Sequence, residues 1–181
     1  MELIETTLSD CYVLKPKVFN DDRGYFFESF NARTFAHLTG KEVNFVQDNQ
    51  SSSSYGVVRG LHFQKGAHAQ AKLVRVLEGM VLDVAVDLRK DAPTFGKYFS
   101  VVLSGENNLQ LFVPRGFAHG FSVLSPTATF CYKCDNFYHK GAEGGLRYDD
   151  KTVSIDWKIP EDKMILSEKD TALPYWNDIE Y

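Results

Sequence analysis

The sequence lacks long apolar segments and has few cysteines. Its uninterrupted apolar runs are only a few residues long, far short of the roughly 20 that cross a bilayer, so we expect no membrane association. The first residues, from Met1 to Glu5, are acidic where a secretory signal would be basic. The three cysteines, Cys11, Cys131 and Cys134, are too few for a disulfide framework. These absences indicate a cytoplasmic protein.

The sequence also lacks an excess of positive charge. Its 20 basic and 24 acidic residues give a net charge of −4 over 181 residues. Nucleic-acid-binding domains are usually basic, so no nucleic-acid partner is expected, although a local basic pocket for a small anion remains compatible with this balance. Hydrophobic residues make up 44% of the chain and charged residues 24%, the mix of an ordered globular protein.

Glycine-rich phosphate-binding loops are missing as well. Gly144-Gly145 lacks the lysine, the Ser or Thr and the strand–helix setting that such a loop requires, and there is no dinucleotide fingerprint. No cofactor is therefore expected. Length favours a single domain over residues 1–181, with a core at about 11–138 and a C-terminal segment, 139–181, packed on it.

Apolar residues mostly recur with the period of a β-strand. From Val81 to Leu88 two sets of side chains alternate, which predicts a half-buried strand, and Glu78-Gly79 before it is interpreted as a two-residue hairpin turn. One helix is expected at about 31–39, with Asn31 as its N-cap and Gly40 just past its end. Ser51–Ser54 is interpreted as an exposed loop. Further strands are expected at 43–48, 57–64, 72–77, 97–103, 109–113, 120–124 and 128–135.

Many short strands with Gly and Pro turns and almost no helix indicate an all-β fold. A jelly-roll sandwich with a few short helices is the first choice, and a lipocalin-like barrel is the second.

Two segments contain candidate functional histidines. Gly56 to His62 reads Gly-x5-His, and Pro114 to His119 reads Pro-x-Gly-x2-His, a pair that resembles the two motifs of the cupin superfamily. In metal-binding cupins the first motif continues as His-x-His with a glutamate soon after. Here Gln64 occupies the second histidine position, and His68 and Ala69 occupy the glutamate positions, so two of four ligands are missing and no metal is expected.

Six separated blocks of the sequence point further. The blocks are Phe19-x3-Arg23-Gly24-x3-Glu28, Phe45–Asn49, Arg59–Gln64, Lys72–Arg75, Phe112–Phe121 and Leu166–Asp170. Together, in register over nearly the whole chain, they resemble one cupin family, the dTDP-4-dehydrorhamnose 3,5-epimerases of the dTDP-L-rhamnose pathway. The resemblance implies a homodimer that inverts carbons 3 and 5 of dTDP-4-dehydro-6-deoxy-D-glucose, without metal, through an enolate.

The family's reaction explains the residue types. A proton beside a carbonyl is a far weaker acid than imidazolium, and each pKa unit of that gap costs about 1.4 kcal/mol. A site therefore needs a base, a cation at the ketone oxygen and an acid on the other face of the ring. The resemblance makes His62 the proton acceptor and Asp170 its carboxylate partner. It makes Tyr132 the proton donor, and Lys72 the cation that stabilises the enolate oxygen.

The resemblance also implies residues that bind the dTDP-sugar substrate. Cationic side chains suit its diphosphate, and amides and acids suit its hydroxyls and base. Aromatic side chains such as Phe19, Phe26 and Tyr138 could form a stacking wall, although core packing is the commoner use of a strand aromatic. The other expected binding residues are Arg23, Glu28, Gln47, Asn49, Arg59, His119, Glu143 and Lys169.

Strand parity leaves one question open. Gly60, His62 and Gln64 share one face of a regular strand, and Arg59 lies on the other. If Arg59 and His62 reach one substrate, a bulge intervenes or Arg59 precedes the strand; alternatively the second face meets another subunit. Parity also places Cys131 and Cys134 on opposite faces, so neither a redox pair nor a shared metal is expected.

Other functions compete with this interpretation. Within the same fold, the chain could be a single-carbon epimerase or a ketoisomerase of another dTDP-deoxysugar pathway. From other classes, it could be a metal-dependent cupin oxygenase or a non-catalytic sugar-binding cupin.

Overall fold

The computed structural model describes residues 1–180, in which thirteen strands and two α-helices occur. Single turns of 3₁₀ helix lie at Gly66–His68, Lys140–Ala142, Glu161–Lys163 and Trp176–Asp178. The α-helices are α1 (Ala32–Thr39) and α2 (Glu168–Thr171). The strands are β1 (Glu2–Glu5), β2 (Tyr12–Lys15), β3 (Phe19–Asp21), β4 (Gly24–Phe26), β5 (Gln47–Ser54), β6 (Val58–Gln64), β7 (Lys72–Glu78), β8 (Met80–Asp87), β9 (Tyr98–Ser104), β10 (Gln110–Val113), β11 (Phe117–Val123), β12 (Thr127–Cys134) and β13 (Glu143–Gly145).

The strands form two antiparallel sheets and a separate hairpin. One sheet has the order β1-β2-β10-β7-β12-β5, and the other has the order β13-β6-β11-β8-β9. The hairpin is β3-β4. Two sheets that enclose a common core make a sandwich rather than a single closed barrel, so the all-β jelly-roll prediction is confirmed and the lipocalin-like alternative is wrong.

The alternation along β8 shows how the layers are built. Val81 and Ala85 belong to the core between the two sheets, together with Val74 and Phe130 from the facing sheet. The intervening side chains, such as Val84, lie on the outer face of the five-stranded sheet. That face is covered by the C-terminal segment, whose side chains include Leu146, Val153, Trp157 and Ile179. The expectation that β8 is half-buried is therefore wrong, because every residue from Val81 to Asp87 is buried.

Helix α1 covers the outer face of the six-stranded sheet, and its predicted limits are confirmed. Asn31 Oδ1 accepts a hydrogen bond from Thr34 N at 3.1 Å, which caps the N-terminus. Gly40 ends the helix in the left-handed conformation, with φ of 68°. Phe35 is almost fully buried and packs with Phe112 against the sheet. No helix in residues 1–180 is long and apolar enough to cross a membrane.

The expectation of an exposed loop at Ser51–Ser54 is wrong. These serines form the second half of β5, where Ser54 pairs with Thr127 and Ser51 with Phe130 of β12. The pairing with a long neighbouring strand overrides the weak strand preference of serine. The strand expected at 43–48 overlaps β5 only at its end.

The hairpin predicted at Glu78-Gly79 is also wrong. Strands β7 and β8 belong to different sheets and do not pair with each other, so the chain turns a corner of the sandwich there. Gly79 has φ of 78°, and an added Cβ would lie 2.0 Å from the carbonyl oxygen of Thr127. Only glycine fits this corner.

Candidate active site

A cleft lies between the two sheets and has two adjoining lobes. The His119 lobe has a volume of about 400 Å³ and also contains Arg59, Phe121 and Asp170. The Tyr138 lobe has a volume of about 340 Å³ and also contains Gln64. Five side chains line both lobes, which makes them one continuous site: Asn49, His62, Lys72, Tyr132 and Lys169.

On the wall formed by the five-stranded sheet, His62 of β6 meets Asp170 of α2. His62 Nε2 lies 2.6 Å from Asp170 Oδ1, and the imidazole is 38% exposed whereas the carboxylate is 6% exposed. Both atoms are buried and they face each other. The carboxylate at Nε2 favours the neutral tautomer that carries its proton there, which leaves Nδ1 as the nitrogen that can accept a proton.

Ser167 holds the Asp170 carboxylate from the other side. Its Oγ donates to Asp170 Oδ2 at 2.7 Å and accepts from Asp170 N at 3.1 Å as the N-cap of α2. Burial opposes charge on Asp170, but the contacts with His62 and Ser167 outweigh it and keep the pKa of this carboxyl below its usual value. Asp170 therefore stays ionised beside the imidazole at neutral pH.

A bulge in β6 brings Arg59 to the same face as His62. Between its pairings with β11 at these two residues, β6 advances three residues while β11 advances two. The extra residue lies around Gly60, which has φ of 112° and a cis bond to Leu61. An added Cβ on Gly60 would lie 2.7 Å from the Cα of Gly120. Of the alternatives that parity left open, the bulge is confirmed.

Arg59 is oriented by a serine of β5. Its Nε donates to Ser53 Oγ at 3.1 Å, and Ser53 is nearly buried. Within residues 1–180, Arg59 forms no ion pair with a carboxylate. The outer N–H groups of the guanidinium are thus available to an anion in the cleft.

The opposite wall belongs to the six-stranded sheet and carries Tyr132 of β12 and Lys72 of β7. Lys72 Nζ lies 5.8 Å from the centre of the Tyr132 ring. Burial raises the pKa of Tyr132, so its phenol remains a proton donor. Burial also lowers the pKa of Lys72, although Cys134 and Asp83 nearby oppose that shift. The imidazole of His62 and this phenol therefore face one cleft from different sheets.

The sequence analysis missed Asp83, a fully buried carboxylate on β8. His119 Nε2 lies 2.9 Å from Asp83 Oδ1, so each buried group has a partner. Burial raises the pKa of Asp83 and lowers the pKa of His119. A signal was present in the sequence, because Asp83 lies between Val81 and Ala85 on the face of β8 that enters the core, where an acid needs a partner.

Gln47 and Asn49 line the cleft, and their amides bond within the protein. Gln47 Oε1 accepts from Tyr138 N at 3.2 Å, and Gln47 Nε2 donates to Asn49 Oδ1 at 3.0 Å. Asn49 Nδ2 in turn donates to Cys134 Sγ at 3.7 Å. The two amides thus connect the loop that carries Tyr138 to the interior of the cleft.

Glu143 and Lys169 form the rim of the Tyr138 lobe. Lys169 Nζ lies 2.7 Å from Glu143 Oε1, and this bond, with a second from Tyr138, keeps the pKa of Glu143 below its usual value. The Tyr138 side chain is half exposed at the same rim.

Two predicted binding residues lie outside the cleft of this chain. Arg23 is on the β3-β4 hairpin, with its side chain 89% exposed and paired with Asp21. Glu28 accepts a hydrogen bond from Asn31 Nδ2 at 3.0 Å, next to α1. Neither side chain lines either lobe.

The two cysteines of β12 lie on different faces of the strand. Cys131 Sγ donates to Gln50 on the outer face of β12, whereas Cys134 is buried on the inner face, so the predicted divergence is confirmed. Within residues 1–180, no three His, Cys, Asp or Glu side chains are arranged to hold a metal ion.

Comparison with known proteins identifies similar chains over the whole length. A family model described as dTDP-4-dehydrorhamnose 3,5-epimerase matches residues 5–178. A relative of that name from Salmonella typhimurium is 51% identical over 177 residues, which cover 96% of this chain and 94% of the relative. The crystal structure of the dTDP-4-dehydrorhamnose 3,5-epimerase from Elizabethkingia anophelis is 61% identical, with a TM-score of 0.97 and coverage of 100% and 99% of the two chains.

A third similar protein was solved with a ligand. The dTDP-6-deoxy-D-glucose-3,5-epimerase from Legionella pneumophila, in complex with dTDP-4-keto-L-rhamnose, is 47% identical to this chain. Its TM-score is 0.95, and the match covers 99% of this chain and 94% of the other.

Proposed function

The chain belongs to the dTDP-4-dehydrorhamnose 3,5-epimerase family, and we propose that it works by metal-free proton transfer through an enolate. It is an isomerase that inverts carbons 3 and 5 of dTDP-4-dehydro-6-deoxy-D-glucose to give dTDP-4-dehydro-L-rhamnose, in dTDP-L-rhamnose biosynthesis. The observation that carries the proposed mechanism is the placement of His62 with Asp170 on one sheet and Tyr132 on the facing sheet, around one cleft.

His62 is the proposed base. Its Nδ1 removes the proton from the carbon beside the ketone, and the electron pair moves to the ketone oxygen to form an enolate. Asp170 remains ionised and stabilises the imidazolium that results, as a carboxylate does in a catalytic triad. The 2.6 Å contact between His62 Nε2 and a nearly buried carboxylate oxygen supports this role.

Lys72 and Tyr132 complete the proposed mechanism from the other wall. The Lys72 ammonium stabilises the negative charge that develops on the ketone oxygen. Tyr132, whose pKa is raised by burial, donates a proton to the carbon from the face opposite His62, and this inverts the centre. Solvent then takes the proton from His62 and returns one to Tyr132, so the reaction is redox-neutral.

The remaining cleft residues suit the nucleotide part of the substrate. Arg59 and Lys169 supply charge for the diphosphate, and the half-exposed ring of Tyr138 supplies a stacking surface. The polar side chains proposed to contact the sugar or the base are Gln47, Asn49, His119 and Glu143.

We also propose a homodimer. Phe19 and Phe26 of the β3-β4 hairpin are 53% and 68% exposed, beside Arg23, and a second copy could cover this apolar surface. In that arrangement Arg23 and Glu28 could act at the cleft of the other subunit. Sedimentation equilibrium checks this proposal, with an expected mass about twice the 20.5 kDa of the chain.

We also propose that the protein is located in the cytoplasm. This location is supported by three cysteines that are all unpaired, as is usual in a reducing compartment.

Incubation of the protein with dTDP-4-dehydro-6-deoxyglucose in deuterated water tests the function. The account predicts deuterium at both carbon 3 and carbon 5, because each centre passes through an enolate that solvent protons can reach. Mass spectrometry and proton NMR measure the label. Label at a single carbon would indicate a single-carbon epimerase, and an unlabelled sugar would overturn the assignment.

A further inference from the structure

The loop at residues 135–139 is held in place by side chains from three neighbouring segments. Tyr138 N donates to Gln47 Oε1 at 3.2 Å, and His139 N donates to Gln64 Oε1 at 2.9 Å. Gln70 Nε2 donates to Asn136 O at 2.8 Å. Side-chain bonds to successive backbone groups fix the path of a loop that has no strand partner of its own.

This fixed loop exposes two aromatic side chains, of which Tyr138 lines the cleft. Phe137 is 65% exposed and Tyr138 is 52% exposed. The next residue, His139, stacks on His68 with the ring centres 4.1 Å apart. A loop that is held before binding, and that presents aromatic faces, lowers the entropic cost of ordering a ligand beside it.

Gln64 is the most buried of the three glutamines and lies inside the cleft. It is 8% exposed, follows His62 by two residues on the same face of β6, and lines the Tyr138 lobe. Its Oε1 must face the N–H of His139, and this fixes which end of the amide carries the nitrogen. Within residues 1–180, Gln64 Nε2 donates to no protein group, so its N–H bonds are available to a ligand.

The amide of Gln64 therefore has two ends with different uses. The position is the one that metal-binding cupins fill with a second histidine, and here it connects the reaction wall to the loop of Tyr138. Lys169 lies in the same lobe, where its ammonium is 2.7 Å from Glu143 Oε1.

We propose that Gln64 is a positioning residue, whose amide oxygen fixes the loop that carries Tyr138 and whose amide nitrogen donates to an oxygen atom of the bound nucleotide. The inference rests on the proposed function, since it takes the ligand to be a dTDP-sugar. It assigns the nucleoside end of the ligand to the Tyr138 lobe, and it leaves Arg59 of the His119 lobe and Lys169, which lines both lobes, for the diphosphate.

Two substitutions separate the uses of the amide. Gln64→Leu removes both acceptor and donor. Gln64→Glu keeps an acceptor for His139 N, but it cannot donate when ionised and brings negative charge toward the phosphates. Calorimetry with dTDP alone measures affinity without any turnover, and a KM and kcat series measures its effect on the reaction.

Both variants should bind dTDP at least about tenfold more weakly than the wild type, as expected for loss of one hydrogen bond to a charged ligand. KM should rise by a similar factor while kcat changes by less than about threefold, because the base and the acid are untouched. Gln64→Glu should keep the thermal midpoint of the wild type, since the loop remains tethered. This combination separates a lost donor from a merely loosened structure.

Gln110→Leu is the matched control. Gln110 is a buried strand glutamine whose Nε2 donates to Ser29 O at 2.7 Å, on the outer face of the six-stranded sheet. Its substitution should lower the thermal midpoint and leave dTDP affinity within about twofold. The proposal is overturned if Gln64→Glu binds dTDP as well as the wild type does, or if Gln110→Leu weakens dTDP as strongly. Failure of the epimerase assignment would appear separately, as an unlabelled sugar with wild-type protein in deuterated water.

Discussion

At the scale of single residues, burial sets the protonation states that the proposed mechanism needs. Tyr132 and Lys72 lie on the same wall, and burial favours the neutral form of both. For Tyr132 the neutral form is the proton donor, so burial helps. For Lys72 the neutral form cannot stabilise an enolate, so burial narrows the pH range in which this residue is useful.

A pH–rate profile should reveal this effect. An ordinary lysine has a pKa of about 10.4, and the pKa of Lys72 is lower, so the ammonium is lost as the pH rises through that lower value. We therefore expect kcat to fall on an alkaline limb whose midpoint lies below that of a free lysine. Steady-state rates in a series of buffers measure this limb.

Lys72→Arg provides the control for that limb. A guanidinium stays charged throughout the accessible pH range, so the variant should lose the alkaline limb, whatever its maximal rate. The same limb in both proteins would show that another group causes it.

At the scale of the elements, β5 presents alternate serines to different environments. Ser53 is nearly buried and accepts the Nε of Arg59, whereas Ser52 is exposed on the other face of the strand. One serine of this run therefore orients an arginine of the cleft, a role that the composition of the run does not indicate.

Ser53→Ala should weaken substrate binding through Arg59. Loss of a hydrogen bond to a charged group costs about 1.5–3 kcal/mol at most, so we expect KM to rise by about tenfold with a smaller change in kcat. Ser52→Ala is the control from the same strand and should behave as the wild type. Equal KM values for Ser53→Ala and the wild type would contradict the proposal that Ser53 orients Arg59.

The sequence predicted the elements whose residue pattern reflects only their own burial and capping. The alternation along β8 and the caps of α1 are local signals, and the strand with its two faces and the helix match the structure. The outer face of β8 was expected to be exposed, and it is buried because a distant segment of the chain covers it. The bulge at Gly60 and the pairing of the serine run depend on distant strands, β11 and β12, which a local pattern does not contain. The corner at Gly79 looks like a hairpin turn in the sequence, because only the order of strands in the sheets distinguishes a corner from a hairpin.

The same distinction, between local patterns and contacts with distant strands, applies to the candidate site. The resemblance to a known family placed His62, Tyr132, Lys72 and Asp170 in one site, and in the structure all four line one cleft. Asp83 escaped notice because its partner comes from another strand. Arg23 does not reach the cleft of its own chain, and a sequence contains no information on where a second copy packs.

At the scale of the whole molecule, the sandwich holds the proposed acid and the proposed base on separate sheets. His62 is carried by β6 and Tyr132 by β12, and the apolar core between the sheets fixes their relative positions. The C-terminal segment adds Asp170, and it is joined to the start of β6 where Val58 N donates to Ile165 O at 3.0 Å. The fold thus places an imidazole and a phenol on different sheets around a space large enough for a sugar ring.

The most direct test of this account compares His62→Ala and Tyr132→Phe with the wild type, by proton NMR of the dTDP-sugar in deuterated water. His62→Ala should abolish exchange at both carbons, since no base remains. Tyr132→Phe should retain exchange at one carbon or more while forming little inverted product, since the base still works and the opposite face has lost its donor. Turnover of Tyr132→Phe at the wild-type rate, or wild-type exchange by His62→Ala, would contradict it.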